Sequence, residues 1–431
     1  MNAPVLEDTA ESPSTSRAET SYTLNVPSET APLQQVLVHT PGREVDLVPP
    51  DSRLDLLFDD ILYVEHAREE HDRMCKLFDT LIGEPGGVLQ ISDLLRQAFA
   101  REEARYYFVE EMCRIAKITN LQAFEKELKQ LTDEELHQFA FTGELPLAIR
   151  IPPVPNLMFT RDLAAVVTDH IIISHPATAA RARENIIIST ILHYHPGFAS
   201  VQDRILKMPP GVTFEGGDVL VASPEVVLIG HSERTSVTGV MAAASKLFAD
   251  TSVEHVVMVD LPKRRSSMHL DTVFTFSGPD ECVVFPPLFT EDQTGNVVHF
   301  TPDANAPNRF GCEVRVDLKS TLEDLLGHEM TFIPCGGRNT LSQEREQWTD
   351  GANFFAMAPY VVVGYERNSR TFEAMMEHGY RVVTAGSFLS YYAESPFEPE
   401  ERLAIKLEGT ELSRGRGGPR CMTLPIRRSQ A

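Results

Sequence analysis

The feature that most restricts how this chain can fold is a motif that recurs four times: an aspartate near a turn, then two apolar runs separated by a short polar break. Asp162 leads AAVV, TDH and IIIS; Asp218 leads VLVA, SPE and VVLIG; Asp271 leads TVFTF, SGPDE and CVVF; a looser copy has Asp350 leading NFFAM, AP and YVVVGY. Short apolar runs bounded by turn residues predict β-hairpins. Most are followed by a helical stretch, such as TSVTGVMAAASKLF or SRTFEAMMEHGY, and then by another strand, such as HVVMV or RVVTA. The unit is ββαβ, and the fold class is α/β. A unit this small cannot cover its own sheet, so the copies must pack together, most simply as blades around a centre. Residues at equivalent blade starts then converge.

Ahead of the repeat, LQQVLVH from Leu33 predicts a strand turned by Thr40 to Gly42. A helix follows through FDDILYVEHAREEHDRMCKLFDTL, and VLQI resumes as strand. From Ser92 to about Arg150 the spacing is helical almost throughout, with capping boxes expected at Thr119/Gln122 and Thr132/Glu135. This pattern divides the chain into a disordered tail (1–31), a first part of the main domain (32–91), an inserted all-helical domain (92–150) and the remainder of the main domain (151–431). The tail is rich in Ser, Thr, Glu and Pro and lacks the features of a secretory signal.

A formal charge of −23 disfavours phosphate backbones and anionic lipid, so neither a nucleic-acid nor a membrane partner is expected. Six scattered cysteines without a C-x-x-C pair argue against a disulfide scaffold and for a reducing, cytoplasmic setting. The RGRGG run at 414–418 lacks the GK[ST] ending of a phosphate loop.

The blade starts hold Asn156 and Asp162 (PNLMFTRD), Glu215 and Asp218 (FEGGD), and His269 and Asp271 (MHLDT). Carboxylates that meet in a protein centre repel one another unless a cation joins them, so the expected guest is positive. His269 and Asp271 share a strand face, placing imidazole beside carboxylate. Asp218 is assigned to structure. Near the C-terminus, RGRGGPRCM sets Cys421 behind a Gly/Arg loop that reads as built for exposure, a setting for a nucleophile. Zinc on His269, Asp271 and Cys421 is chemically allowed but lacks the several close imidazoles or thiolates such sites favour.

In this order, PNLMFTRD, RARE, EGGDV, ERT, MHLDTVFT, EREQWTDGAN and GRGGPRCM resemble the bacterial arginine deiminases, guanidine-modifying enzymes of the pentein superfamily, from about Leu33 to Arg428. The resemblance implies a five-bladed α/β propeller of ββαβ modules with a helical insertion. It implies L-arginine and water as reactants and citrulline and ammonia as products, with no cofactor or metal, and it leaves homo-oligomerisation open. It further implies Cys421 as nucleophile, His269 as proton carrier, Asp162 and Asp271 as guanidinium clamps, and Glu215 as the carboxylate orienting His269. Arg181 and Arg234 would hold the α-carboxylate, Asn156 and the backbone near Phe159 the α-amino end, and Arg416 would lie beside the nucleophile. The alternatives are another pentein reaction, amidino transfer or dimethylarginine hydrolysis, and a non-catalytic metal- or guanidinium-binding protein.

Overall fold

The computed structural model describes residues 21–145, 151–289, 296–306, 309–393, 395–397 and 401–429. They form a mixed α/β protein whose strands fall into five separate sheets. Four sheets start from the hairpins expected of the repeat. Ala164–Val167 pairs antiparallel with His170–Ile173, Val219–Val221 with Val226–His231, Phe274–Gly278 with Glu281–Val284, and Phe355–Ala358 with Val361–Tyr365. In each, the second hairpin strand then pairs parallel with a strand that follows a crossover helix, for example Ile205–Lys207 after Ala182–Tyr194 and His255–Asp260 after Val237–Asp250. The hairpin strands Ala164–Val167, His170–Ile173, Val219–Val221 and Val226–His231 are buried along nearly their whole length. That accounts for their continuous apolar runs: a sheet covered on both faces has no solvent side on which to alternate polar residues.

The fifth sheet joins the two ends of the chain. Leu33–Val38 runs parallel to Val88–Gln90 after the helix Val64–Ile82, as the other modules do, but its antiparallel partner is Leu424–Arg428. The hairpin partner is thus supplied by nearly the last residues, which no local pattern around Leu33 could show. The segment expected as a tail divides: residues 1–20 lie outside the described residues, whereas 21–31 are packed. Asn25 bridges to Arg427 and Val26 to Thr168, and Tyr22, Leu24 and Val26 are buried. Three apolar side chains fix this stretch, which is what the polar composition of the first thirty residues obscured.

Residues 91–142 are helical, as Ile91–Phe99, Glu102–Ile115, Leu121–Gln130 and Asp133–Thr142. Thr132 and Glu135 form the expected capping box. At the preceding helix the cap is Asn120, whose side chain accepts from the Ala123 amide, in place of the expected Thr119. Asn is a strong N-cap because its short side chain reaches the free amides of the first turn. Phe99, Phe108, Phe124 and Phe139 centre this block, and their cluster continues into Ile187, Ile188 and Ile191 of the helix Ala182–Tyr194.

The chain-closing sheet yields a prediction. Ile426 is buried in that core, so Ile426→Ala should cost about 2–5 kcal/mol. Urea unfolding would check it; a loss below about 0.5 kcal/mol, the size of an ordinary surface substitution, would mean that the terminal strand is not integral.

Candidate active site

Each sheet contributes residues just before one strand of its antiparallel pair. Asp162 precedes Ala164–Val167, Glu215 and Asp218 precede Val219–Val221, and His269 and Asp271 precede Phe274–Gly278. Asn353 precedes Phe355–Ala358, and Cys421 precedes Leu424–Arg428. Short 3-10 turns at Thr160–Leu163, Gly216–Asp218 and Leu270–Thr272 aim these side chains inward, and all seven are buried. Gly217 makes the crowding feasible: a Cβ there would lie 2.6 Å from Asp162 Oδ1 and 2.7 Å from His269 Nδ1.

His269 Nε2 lies 2.8 Å from Glu215 Oε2, and Nδ1 lies 3.5 Å from Asp162 Oδ1. Burial opposes charge on the ring, but Asp162, the hydrogen bond to Glu215 and Asp218 outweigh it and push its pKa up to about 9. For Glu215, burial is outweighed by the His269 contact and by Arg181 and Arg234, which hold its pKa down at about 2. The result is an imidazolium–carboxylate pair. Asp218 accepts from the Ser232 hydroxyl at 2.6 Å and the Leu270 amide at 2.9 Å, so it ties two of these turns together, in keeping with a structural assignment.

Cys421 Sγ is 3.8 Å from Asp271 Oδ2 and 4.0 Å from Oδ1. Burial, then Asp271, Asp162 and Asp350, pushes its pKa well above that of an ordinary thiol. The loop expected to be exposed is in fact packed: Cys421 is only 5% exposed, and Gly415, Gly417 and Gly418 are buried. The glycines serve close approach, since a Cβ on Gly417 would collide with the Phe159 ring. The Tyr365 hydroxyl donates to the Gly417 carbonyl at 2.8 Å and holds the loop down.

The arginines are engaged. Arg181 Nη1 bonds Asp162 Oδ2, its Nε bonds Glu184 at 2.7 Å, and Nη2 donates to the carbonyls of Asn156 at 3.1 Å and Phe159 at 3.2 Å. Arg234 lies between Glu233 at 3.4 Å and Glu215 at 3.9 Å. Arg416 stacks 3.6 Å above the Trp348 ring and donates to the Trp348 carbonyl. Asn156 Nδ2 donates to the Leu56 carbonyl at 2.7 Å. Together with Leu57, Arg265, Met268 and Cys421, these residues line a cavity of about 20 Å³. That is the scale of one water molecule.

Atoms of Asp162, Glu215 and His269 lie within 4.8 Å of one another, close enough to share a cation. That role falls to Arg181, which bonds Asp162 and reaches within 4.0 Å of Glu215.

Sequence reasoning missed Asn353, whose Oδ1 accepts from the Cys421 amide at 3.0 Å and whose Nδ2 donates to the Asp271 carbonyl at 2.8 Å. The available signal was its place in the DGAN turn that opens the looser fourth repeat. It also missed Arg420, whose guanidinium sits on Asp271.

The family model described as Arginine deiminase matches residues 54–145 and 138–428. The chain belongs to the arginine deiminase family. It is 34% identical to arginine deiminase of Bacillus cereus (strain B4264), over 94% of this chain and 98% of that protein. With the enzyme of Oenococcus oeni it shares 32% identity over 94% and 97%, and with that of Staphylococcus haemolyticus 34% over 94% and 98%. Among solved structures, DDAH from Pseudomonas aeruginosa complexed with citrulline aligns at 15% identity, covering 91% of this chain and 99% of that one, with a TM-score of 0.49.

The His269–Glu215 pair gives a pH prediction. The raised imidazole stabilises the fold fully below 6.5 and loses that contribution as pH climbs through about 9; the depressed carboxylate contributes above 4.5 and loses it as pH falls toward about 2. The stability gap between the wild-type protein and Glu215→Gln, measured by denaturant unfolding, should therefore be widest between those two ordinary values and shrink on both sides. A gap that stays flat from pH 5 to 9 would contradict the pairing.

Proposed function

We propose that this protein hydrolyses L-arginine to L-citrulline and ammonia through a covalent intermediate on Cys421. Its five sheets act as the blades of a propeller, and the four helices between Ile91 and Thr142 are a helical domain inserted into it, the last residues of the expected 92–150 insertion, 146–150, lying outside the described residues. One observation carries the reading: a thiol, an imidazolium and the Asp162 carboxylate, from separate sheets, line one small cavity, with the Asp271 carboxylate 3.8 Å from the sulfur and the Glu215 carboxylate 2.8 Å from the ring. That convergence is what a propeller's centre requires.

The chemistry follows from charge. A guanidinium carbon is a poor electrophile until carboxylates fix its plane and localise its charge, and Asp162 and Asp271 take that part. Arginine enters as side chains lining the cavity move, Arg181 giving up its hold on Asp162. The incoming cation beside the sulfur favours the thiolate that the site's acids otherwise disfavour. The thiolate adds to the carbon, giving a neutral tetrahedral adduct, so the site needs acids where an acyl-transfer site needs N–H donors. Imidazolium His269 gives its proton to one nitrogen, the C–N bond breaks, ammonia leaves, and a thiouronium remains on Cys421. Neutral His269 then takes a proton from water as the hydroxide adds. The C–S bond breaks, and citrulline departs after losing its extra proton to solvent. Arg234, Arg181, Asn156 and the Phe159 carbonyl hold the amino-acid end, with Arg416 closing over it.

Incubating the chain with L-arginine and a chelator, with citrulline and ammonia quantified together, tests this. Equimolar products are expected from the wild-type protein, and a loss of at least about three orders of magnitude in kcat from Cys421→Ala and His269→Ala. Near-normal turnover by either variant would overturn the mechanism. Product that appears only when glycine or ornithine is added would instead mark amidino transfer.

A further inference from the structure

Against Asp271, outside the cavity lining, lies a second layer of buried charge. Arg420 immediately precedes Cys421 and is 1% exposed. Its Nη1 donates to Asp271 Oδ2 at 2.8 Å, its Nε to Glu29 Oε2 at 3.1 Å and its Nη2 to the Val219 carbonyl at 2.8 Å, with Nη2 also 3.0 Å from Glu29 Oε1. Glu29 comes from the stretch before the first strand, and its backbone amide donates to Val221 at 2.7 Å. Arg161, next to Asp162, adds a further cation: Nη1 is 3.9 Å from Glu29, its amide donates to the Cys421 carbonyl at 3.0 Å, and its Nε donates to the Arg420 carbonyl at 3.4 Å. The mechanism above uses none of Glu29, Arg161 or Arg420.

We propose that Glu29 and Arg420 are positioning residues for the reaction: Arg420 holds the Asp271 carboxylate ionised and oriented beside the Cys421 sulfur, and Glu29 anchors Arg420. The proposal rests on Cys421 and Asp271 being the reacting and clamping groups. A buried carboxylate without a cation takes up a proton, and a neutral carboxyl group can neither clamp nor balance a guanidinium. The charged and titratable groups facing Asp271 are Arg420, His269, Asp162, Arg161, Cys421 and Asp350. Arg420 is the one whose guanidinium bonds Asp271. Two further bonds, to Glu29 and to the Val219 carbonyl, fix that guanidinium's plane, so the Asp271 carboxylate is held by a rigid partner. The stretch 21–31 thereby belongs to the catalytic apparatus even though it lines no part of the cavity.

The test exploits sign. Arg420→Met keeps most of the side chain's volume and removes its positive charge; compared above the pH at which Asp271 ionises in the variant, this destabilises a thiolate at Cys421. Glu29→Gln keeps the shape and removes a negative charge, which favours one. Alkylation of Cys421 by iodoacetamide, followed by mass spectrometry of its peptide at fixed pH, reads this without any need for turnover. Relative to the wild-type protein, alkylation should slow at least about fivefold in Arg420→Met and quicken at least about threefold in Glu29→Gln, since at an effective dielectric near 20 even a unit charge about 15 Å away shifts such an equilibrium by about fivefold. In citrulline assays the acid limb of kcat/KM should move to higher pH in Arg420→Met and stay in place in Arg420→Lys, which keeps the charge. If Arg420→Met does not fold, Glu29→Gln and Arg420→Lys carry the test. Rates that move in the same direction or stay within twofold, or an acid limb displaced equally by Lys and Met, would overturn the proposal. A wild-type protein without citrulline formation would instead sink the functional reading, while the alkylation arm still reports on the relay.

Discussion

A carboxylate withdrawn from water needs a cation, and the centre of this protein is arranged around that need. Asp162, Glu215 and Asp271 are each at least nine-tenths buried, and each has a positive partner: Arg181 on Asp162, His269 on Glu215, Arg420 on Asp271. The partners differ in how firmly they are held. Arg420 has every side-chain nitrogen bonded deep in the structure, whereas Arg181 lines the cavity itself. A planar organic cation competing for this centre would displace the second and leave the first. Asp271 would then serve as a fixed wall, and Asp162 as the face that exchanges one guanidinium for another.

The same charge arrangement governs the sulfur. Burial, and then the acid groups near Cys421, push its pKa up, which disfavours oxidation and alkylation of a resting thiol. Asn353 ties the Cys421 amide to the Asp271 backbone, which fixes the two residues relative to one another. On the proposed mechanism, a thiol so placed gains reactivity when positive charge arrives, and selectivity for a cation enters activation as well as binding.

Much of this was readable from the residues because short-range patterns carry it. The four hairpins declared themselves as paired apolar runs behind an aspartate, and Asp162, His269 and Cys421 line one cavity, with Glu215 on the ring and Asp271 beside the sulfur. What stayed hidden was long-range. Leu424–Arg428 completes the sheet of Leu33–Val38, and Glu29 meets Arg420 across nearly the whole chain; neither pairing leaves a local trace. The glycines of RGRGGPRCM suggested an exposed loop because composition alone does not distinguish glycine used for freedom from glycine used where a Cβ would collide, as at Gly417. Arg181, expected at the amino-acid end of a substrate, sits here on Asp162, because a buried carboxylate takes the nearest available cation.

The central claim is spatial, and a crystal structure of Cys421→Ala soaked with L-arginine tests it most directly. The account predicts the guanidinium lying flat between Asp162 and Asp271, its central carbon facing residue 421, with Arg181 withdrawn from Asp162 and Arg420 still on Asp271. Arginine bound with its guanidinium away from both aspartates, or bound with the Arg181–Asp162 contact intact, would contradict it.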